Sequence, residues 1–77
     1  YRAWQRIMTE EYETLIQRAE KGRRTLLDKY GATSPAEFFA VATELFFEKS
    51  RQMKAKHPDL HALLVEYYGQ DPSTRAA

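Results

Sequence analysis

Apolar residues recur along the first part of the chain at Trp4, Ile7, Met8, Tyr12, Leu15, Ile16 and Ala19, with charged and amide side chains between them. Steps of three and four place that set on one face and predict an amphipathic helix over 2–21. Lys21 in the last turn and Gly22 after it supply a stop. Residues 22–34, GRRTLLDKYGATS, break the period and contain two glycines. They also hold Leu26, Leu27 and Tyr30, which predicts an ordered apolar loop that lies across a surface and tucks those three in.

A second helix is predicted over 35–49. Ser34 is suited to the N-cap, Pro35 to the first helical position and Glu37 to the third, the capping-box pattern. At about 100° per residue, Phe38, Leu45, Ala42, Phe46 and Phe39 form one wide apolar arc. Glu37, Glu44 and Glu48 gather opposite with Val41 among them, while Ala40 and Phe47 form a second flank. An arc of that width predicts burial between neighbours. The stretch KSRQMKAKH reads as the end of this helix and a turn. Pro58 then opens a third helix over 58–68, with Leu60, Leu63, Leu64 and Tyr67 on one stripe and Gly69 at its end. QDPSTRAA, over 70–77, reads as a flexible tail. The fold class is all-α, three helices joined by an ordered loop and a turn.

Composition narrows the function classes. The chain has 77 residues, 12 basic against 11 acidic, for a net charge of +1. That balance gives no mandate for nucleic acid or an anionic membrane. No apolar run approaches the roughly 18 residues that a membrane span needs. Cysteine is absent, which removes disulfides and thiolate metal sites and fits a reducing, cytoplasmic setting. Trp4, five tyrosines and four phenylalanines are many large rings for so short a chain to bury. Tyr1 in place of an initiating Met suggests a piece cut from something longer, or a processed product, and the surplus apolar surface invites pairing.

Candidate chemistry is sparse. His57 and His61 stand four apart, the spacing of a zinc-binding pair on one helix face. In HPDLH, however, Pro58 occupies the place of the metalloprotease glutamate and puts His57 at or before the helix start, so the two read as surface or capping histidines. The basic residues Lys21, Arg23 and Arg24, and Lys49, Arg51, Lys54 and Lys56, could touch phosphates, and three short helices could form a DNA reader. The third helix, where recognition residues would lie, instead carries Asp59 and Glu66. These charges read as a solvated face. Taken by spacing alone, Glu37 is a cap that meets the helix dipole. No nucleophile–base pair, phosphate-cradling glycine loop or complete metal site is present in the sequence.

The block LLDKYGATSPAEFFAVATELFF resembles the C-terminal part of the Mlc titration factor type of zinc metallopeptidase. The likeness extends through HPDLHALLVEYYGQDP and back to WQRIMTEEY, and the register Tyr30-Gly31, Thr33, Pro35, Glu37-Phe38-Phe39-Ala40 carries it. The same helix has a more distant likeness to the zinc-ligand helix of anthrax lethal factor. The resemblance implies that two histidines of an HExxH helix and one downstream glutamate hold the zinc. The HExxH glutamate then activates water for attack on a peptide carbonyl. By resemblance Glu37 is the downstream zinc ligand, and Tyr30 places its hydroxyl near the developing oxyanion. Lys29 stands where the family commonly has Pro, and Ser34 where it has Asn or Asp.

HExxH itself does not occur in the chain. The resemblance therefore implies that residues 1–69 form one wall of a zincin-type domain, whose other ligands and general base come from a preceding part of the same peptidase. It also implies a peptide substrate, binding of the repressor Mlc by the whole protein, and neither activity nor zinc uptake by this chain alone. The rival expectations are a non-enzymatic helical interaction module and, third, a DNA-binding three-helix domain.

Overall fold

A computed structural model describes residues 2–75. Four α-helices and two one-turn 3-10 helices make up the fold: α1 (Arg2–Glu20), a 3-10 turn at Lys29–Ala32, α2 (Pro35–Glu48), α3 (Ser50–Lys56), α4 (Pro58–Tyr68) and a 3-10 turn at Pro72–Thr74. The all-α expectation holds, with one helix more than the apolar period predicts. The molecule measures 35 × 29 × 18 Å. With helices about 10 Å across, its short dimension admits only two layers, so much of each helix faces outward.

α1 stops where its sequence says it should. The Arg23 N–H donates to the Arg18 carbonyl (2.9 Å) and the Gly22 N–H to that of Ala19 (3.2 Å), with Gly22 at φ 65°. This is the paired closure of a helix whose C′ residue is left-handed, a conformation that glycine adopts without steric cost. Beyond it Leu27 drops into the core and Leu26 packs against it half-buried. Tyr30, expected to be tucked in with them, is instead 59% exposed. A 3-10 turn has about three residues per turn, so neighbouring side chains leave it some 120° apart. Gly31 is the residue that faces inward, and that swings Tyr30 out.

α2 begins as predicted. Ser34 is extended (φ −165°, ψ 160°) and its Oγ accepts from the Glu37 N–H, with Pro35 in the first turn. Phe38, Val41, Ala42, Leu45 and Phe46 are buried. Val41, which the wheel groups with the glutamates, is thus a core residue. Its burial follows from the 3-10 turn lying against that side of α2.

The predicted turn after α2 is in fact α3. Its residues include good helix formers, Arg, Gln, Met, Lys and Ala, with Met53 as its one large core side chain. A lone apolar anchor leaves no period to read. Lys49 (φ −136°, ψ 53°) closes α2 and opens α3, and His57 (φ −136°, ψ 63°) does the same between α3 and α4. At the second joint Pro58 excludes the helical conformation from the residue before it.

On α4 the buried residues are Leu60, His61 and Leu64, with Tyr68 packed half-buried. The predicted stripe is therefore turned: Tyr67 is 60% exposed, while Tyr68 stacks on Phe46 (5.7 Å) and its hydroxyl lies 2.9 Å from Thr43 Oγ1. The segment expected as a flexible tail carries the 3-10 turn at 72–74. There Asp71 caps Ser73 (3.0 Å), and Arg51 donates to the carbonyls of Ser73 (3.2 Å) and Arg75 (2.9 Å). Ala76 and Ala77 lie outside the described residues.

Gly31 leaves no room for a side chain: a Cβ there would stand 2.4 Å from Val41 Cγ2, 3.2 Å from Leu15 Cδ2 and 3.3 Å from the Phe38 Cα. Gly31→Ala is expected to destabilise the chain by about 1–3 kcal/mol, the usual cost of overpacking. Pairing it with Val41→Ala should cost less than the sum of the two single changes, because the second substitution vacates the space the first one needs. Urea denaturation of the four proteins measures that coupling.

Candidate functional site

Glu37 sits in the first turn of α2, half-buried. Its backbone N–H is held by Ser34 Oγ at 3.2 Å. The reciprocal half of a capping box, from the Glu37 carboxylate to the Ser34 N–H, does not appear among the described hydrogen bonds. Nor does the carboxylate join any of the ion pairs found among the described residues. The capping is thus done by Ser34, which leaves the Glu37 side chain uncommitted at a helix end whose dipole favours negative charge. Ala40, Glu44 and Glu48 continue the same side of α2, all exposed.

Tyr30 is positioned by the turn before α2. The Tyr30 N–H donates to Asp28 Oδ1 (2.9 Å), and its carbonyl accepts from Thr33 through both Oγ1 (2.8 Å) and N–H (3.1 Å). These bonds tie down the Tyr30 backbone and leave its ring outside. Gly31 rests on the Phe38–Val41 turn, so the 3-10 turn that carries the exposed Tyr30 packs against the N-terminal half of α2, the helix whose first turn holds Glu37. Periodicity alone could not pair them. The only sequence signal for the pairing is a glycine beside the tyrosine.

The two histidines are drawn apart. His57 is the joint residue before α4, and its Nδ1 lies 2.8 Å from Glu11 Oε1 on α1. His61 points the other way: it is 3% exposed, with Nε2 3.0 Å from Ser50 Oγ and 3.3 Å from Asp71 Oδ1. His61 is thus a core residue and not the surface or capping histidine expected. It joins the start of α3 to the segment after α4. Ser50 and Asp71 both meet the same ring nitrogen, so the trio lacks the order of a nucleophile–base–orienter relay. Among the described residues no three His, Cys, Asp or Glu side chains gather where they could hold a metal. No helix among the described residues is long and apolar enough to cross a membrane.

Burial pushes the His61 imidazole below its ordinary value of 6.5; Asp71 opposes this and Lys54 reinforces it. The Ser73 hydroxyl in turn holds the Asp71 carboxyl below its ordinary 3.8. As pH falls below 6.5, the unfolded chain takes a proton that folded His61 resists, so stability declines. The Asp71 contribution is lost only later, below 3.8. The urea midpoint is therefore expected to fall between about pH 7.5 and pH 5.5, and His61→Gln should flatten that decline.

Comparison with known proteins follows the same block of residues. The family described as glucose-regulated metallo-peptidase M90 matches residues 1–69. An uncharacterized protein of Synechocystis sp. is 44% identical over 72 residues, which is 94% of this chain and 26% of that protein. Mlc titration factor A of Cronobacter sakazakii is 43% identical over 49 residues, 64% of this chain and 18% of that protein. Mlc titration factor A of Salmonella arizonae is likewise 43% identical over 49 residues, and there the match covers 20% of the protein. The chain thus spans about a quarter or less of the length of these curated relatives. No solved structure matches, so the likeness to lethal factor gains no support.

Proposed function

The chain belongs to the glucose-regulated metallo-peptidase M90 family, and from that membership we propose that it is the C-terminal helical wall of a zinc-dependent peptidase, to which it supplies the metal ligand Glu37. The observation that carries this reading is the state of Glu37. Its backbone is fixed at a helix start by the Ser34 cap, yet its carboxylate takes no ion-pair partner among the described residues. Zinc, when bound, supplies Lewis acidity and activates water for peptide hydrolysis. The remaining ligands and the general base belong to residues outside this chain.

On this reading each local feature has a task. Ser34 and Pro35 set the helix start, so that Glu37 need not fold back as a cap. Gly31 lets the preceding turn approach α2, and Tyr30 offers its hydroxyl to the oxyanion that develops at the attacked carbonyl. The exposed flank of Ala40 and Phe47 beside Glu37 is the surface that the rest of the domain covers. The relatives named Mlc titration factor A carry the name of a repressor. We extend that partner to the whole protein, together with a cytoplasmic setting and a part in transcription regulation. A second reading is favoured by the exposure of Tyr67 (60%) and Phe47 (41%): a non-enzymatic helical module that uses those rings for a protein partner or a second copy.

In the full-length protein Glu37→Ala should abolish peptidase activity and lower zinc content while the thermal melt moves little. Tyr30→Phe should lower kcat with zinc content unchanged. The 77-residue chain alone should take up no stoichiometric zinc by titration calorimetry. Retained proteolysis by the Glu37 variant would return that residue to the role of a helix-end charge, and ring-dependent pairing of the chain in sedimentation would favour the second reading.

A further inference from the structure

A groove of about 680 Å³ runs between α1, the loop at 23–27 and the α3–α4 joint, away from Glu37 and Tyr30, neither of which lines it. Its size is within the roughly 300–1,000 Å³ of ligand sites. The floor is aliphatic, formed by Leu15, Leu26 and Leu27. Two carboxylates reach the walls, and both have partners within the chain: Glu10 meets Arg6 (3.0 Å), and Glu11 meets the His57 imidazole (2.8 Å). Arg18, Arg24 and Lys56 also line the groove, and among the described residues they take part in none of the ion pairs or side-chain hydrogen bonds. A shallower depression shares Arg18 and adds Lys21 and Arg23 to the same rim. The net charge of +1 therefore conceals a local excess of cations over an apolar floor.

We propose that this groove binds an acidic peptide segment bearing aliphatic side chains. The charge pattern selects a polyanion, and the leucine floor selects among polyanions. No Phe, Tyr or Trp lines the groove to give bases a stacking platform, which disfavours single-stranded nucleic acid. A concave slot between helices does not suit a flat lipid surface. An extended acidic segment can place carboxylates against Arg18, Arg24 and Lys56 while an aliphatic side chain enters between them. The peptidase reading is not needed for this site, and the experiment leaves Glu37 untouched.

The test uses the 77-residue chain and a fluorescein-labelled hexapeptide alternating glutamate and leucine, read by anisotropy. The expected result is saturable binding that weakens with added salt. The double variant Arg18→Glu with Arg24→Glu should weaken it about tenfold or more, and Lys56→Glu, from the opposite wall, should weaken it independently. All three side chains are exposed, and circular dichroism confirms the helices. Arg2→Glu, near the start of α1, should leave binding unchanged. Failure of the peptide to bind, or equal binding by the charge-reversed variants, overturns the proposal. Equal binding of an all-glutamate hexapeptide or of an oligonucleotide of matched charge also overturns it, because either shows a generic polyanion surface.

Discussion

A one-turn wedge lies between α1 and α2, and its thinnest point is Gly31. Leu15 approaches from one side and Val41 and Phe38 from the other, close enough that even a methyl group would collide. Other features follow from that clearance. The wedge buries Val41, which helical symmetry alone would leave among glutamates. It also turns Tyr30 outward, just ahead of the helix start whose first turn holds Glu37. Interiors packed at crystal-like density leave little slack to absorb a change at such a point.

The other organising device is a pair of single-residue joints. Lys49 and His57 interrupt what would otherwise be one long helix from Pro35 to Tyr68, and so fold its three segments onto a shared core. Polar side chains then lock the second half. Ser50, at the start of α3, meets His61 on α4, Asp71 approaches the same imidazole, and Arg51 holds the carbonyls beyond it. His61 is thus buried with partners, as a polar core group must be.

Much of this was legible in the residues, and the failures have physical causes. The start of α2 could be read because Ser34, Pro35 and Glu37 each answer a local requirement of a helix end. α1 could be read because seven apolar positions share one period. α3 could not, since Met53 is its only large core side chain, its helicity rests on propensity, and of its two joints only the one before Pro58 has a local signal. The stripe on α4 was misplaced because Leu63 and Tyr67 fit the helical period as well as Leu60, Leu64 and Tyr68 do, and only the position of Phe46 decides between them. At the candidate site, Glu37 was visible as a capping residue and, by family likeness, as a ligand. That Ser34 does the capping and leaves the Glu37 carboxylate without an ion-pair partner among the described residues is a matter of side-chain direction, which no spacing encodes.

α3 has seven residues, almost a whole number of helical turns at 3.6 residues each. The chain therefore leaves α3 at nearly the angular phase at which it entered, and α4 inherits a fixed rotation relative to α2. One residue more or fewer in α3 would turn α4 by about 100°, carrying His61 off Ser50 and Leu60 out of the core. Exposed positions of α3 such as Gln52 and Ala55 are free to drift in composition, but its length acts as a gear tooth. Variation in this segment should accumulate as substitutions and almost never as insertions or deletions.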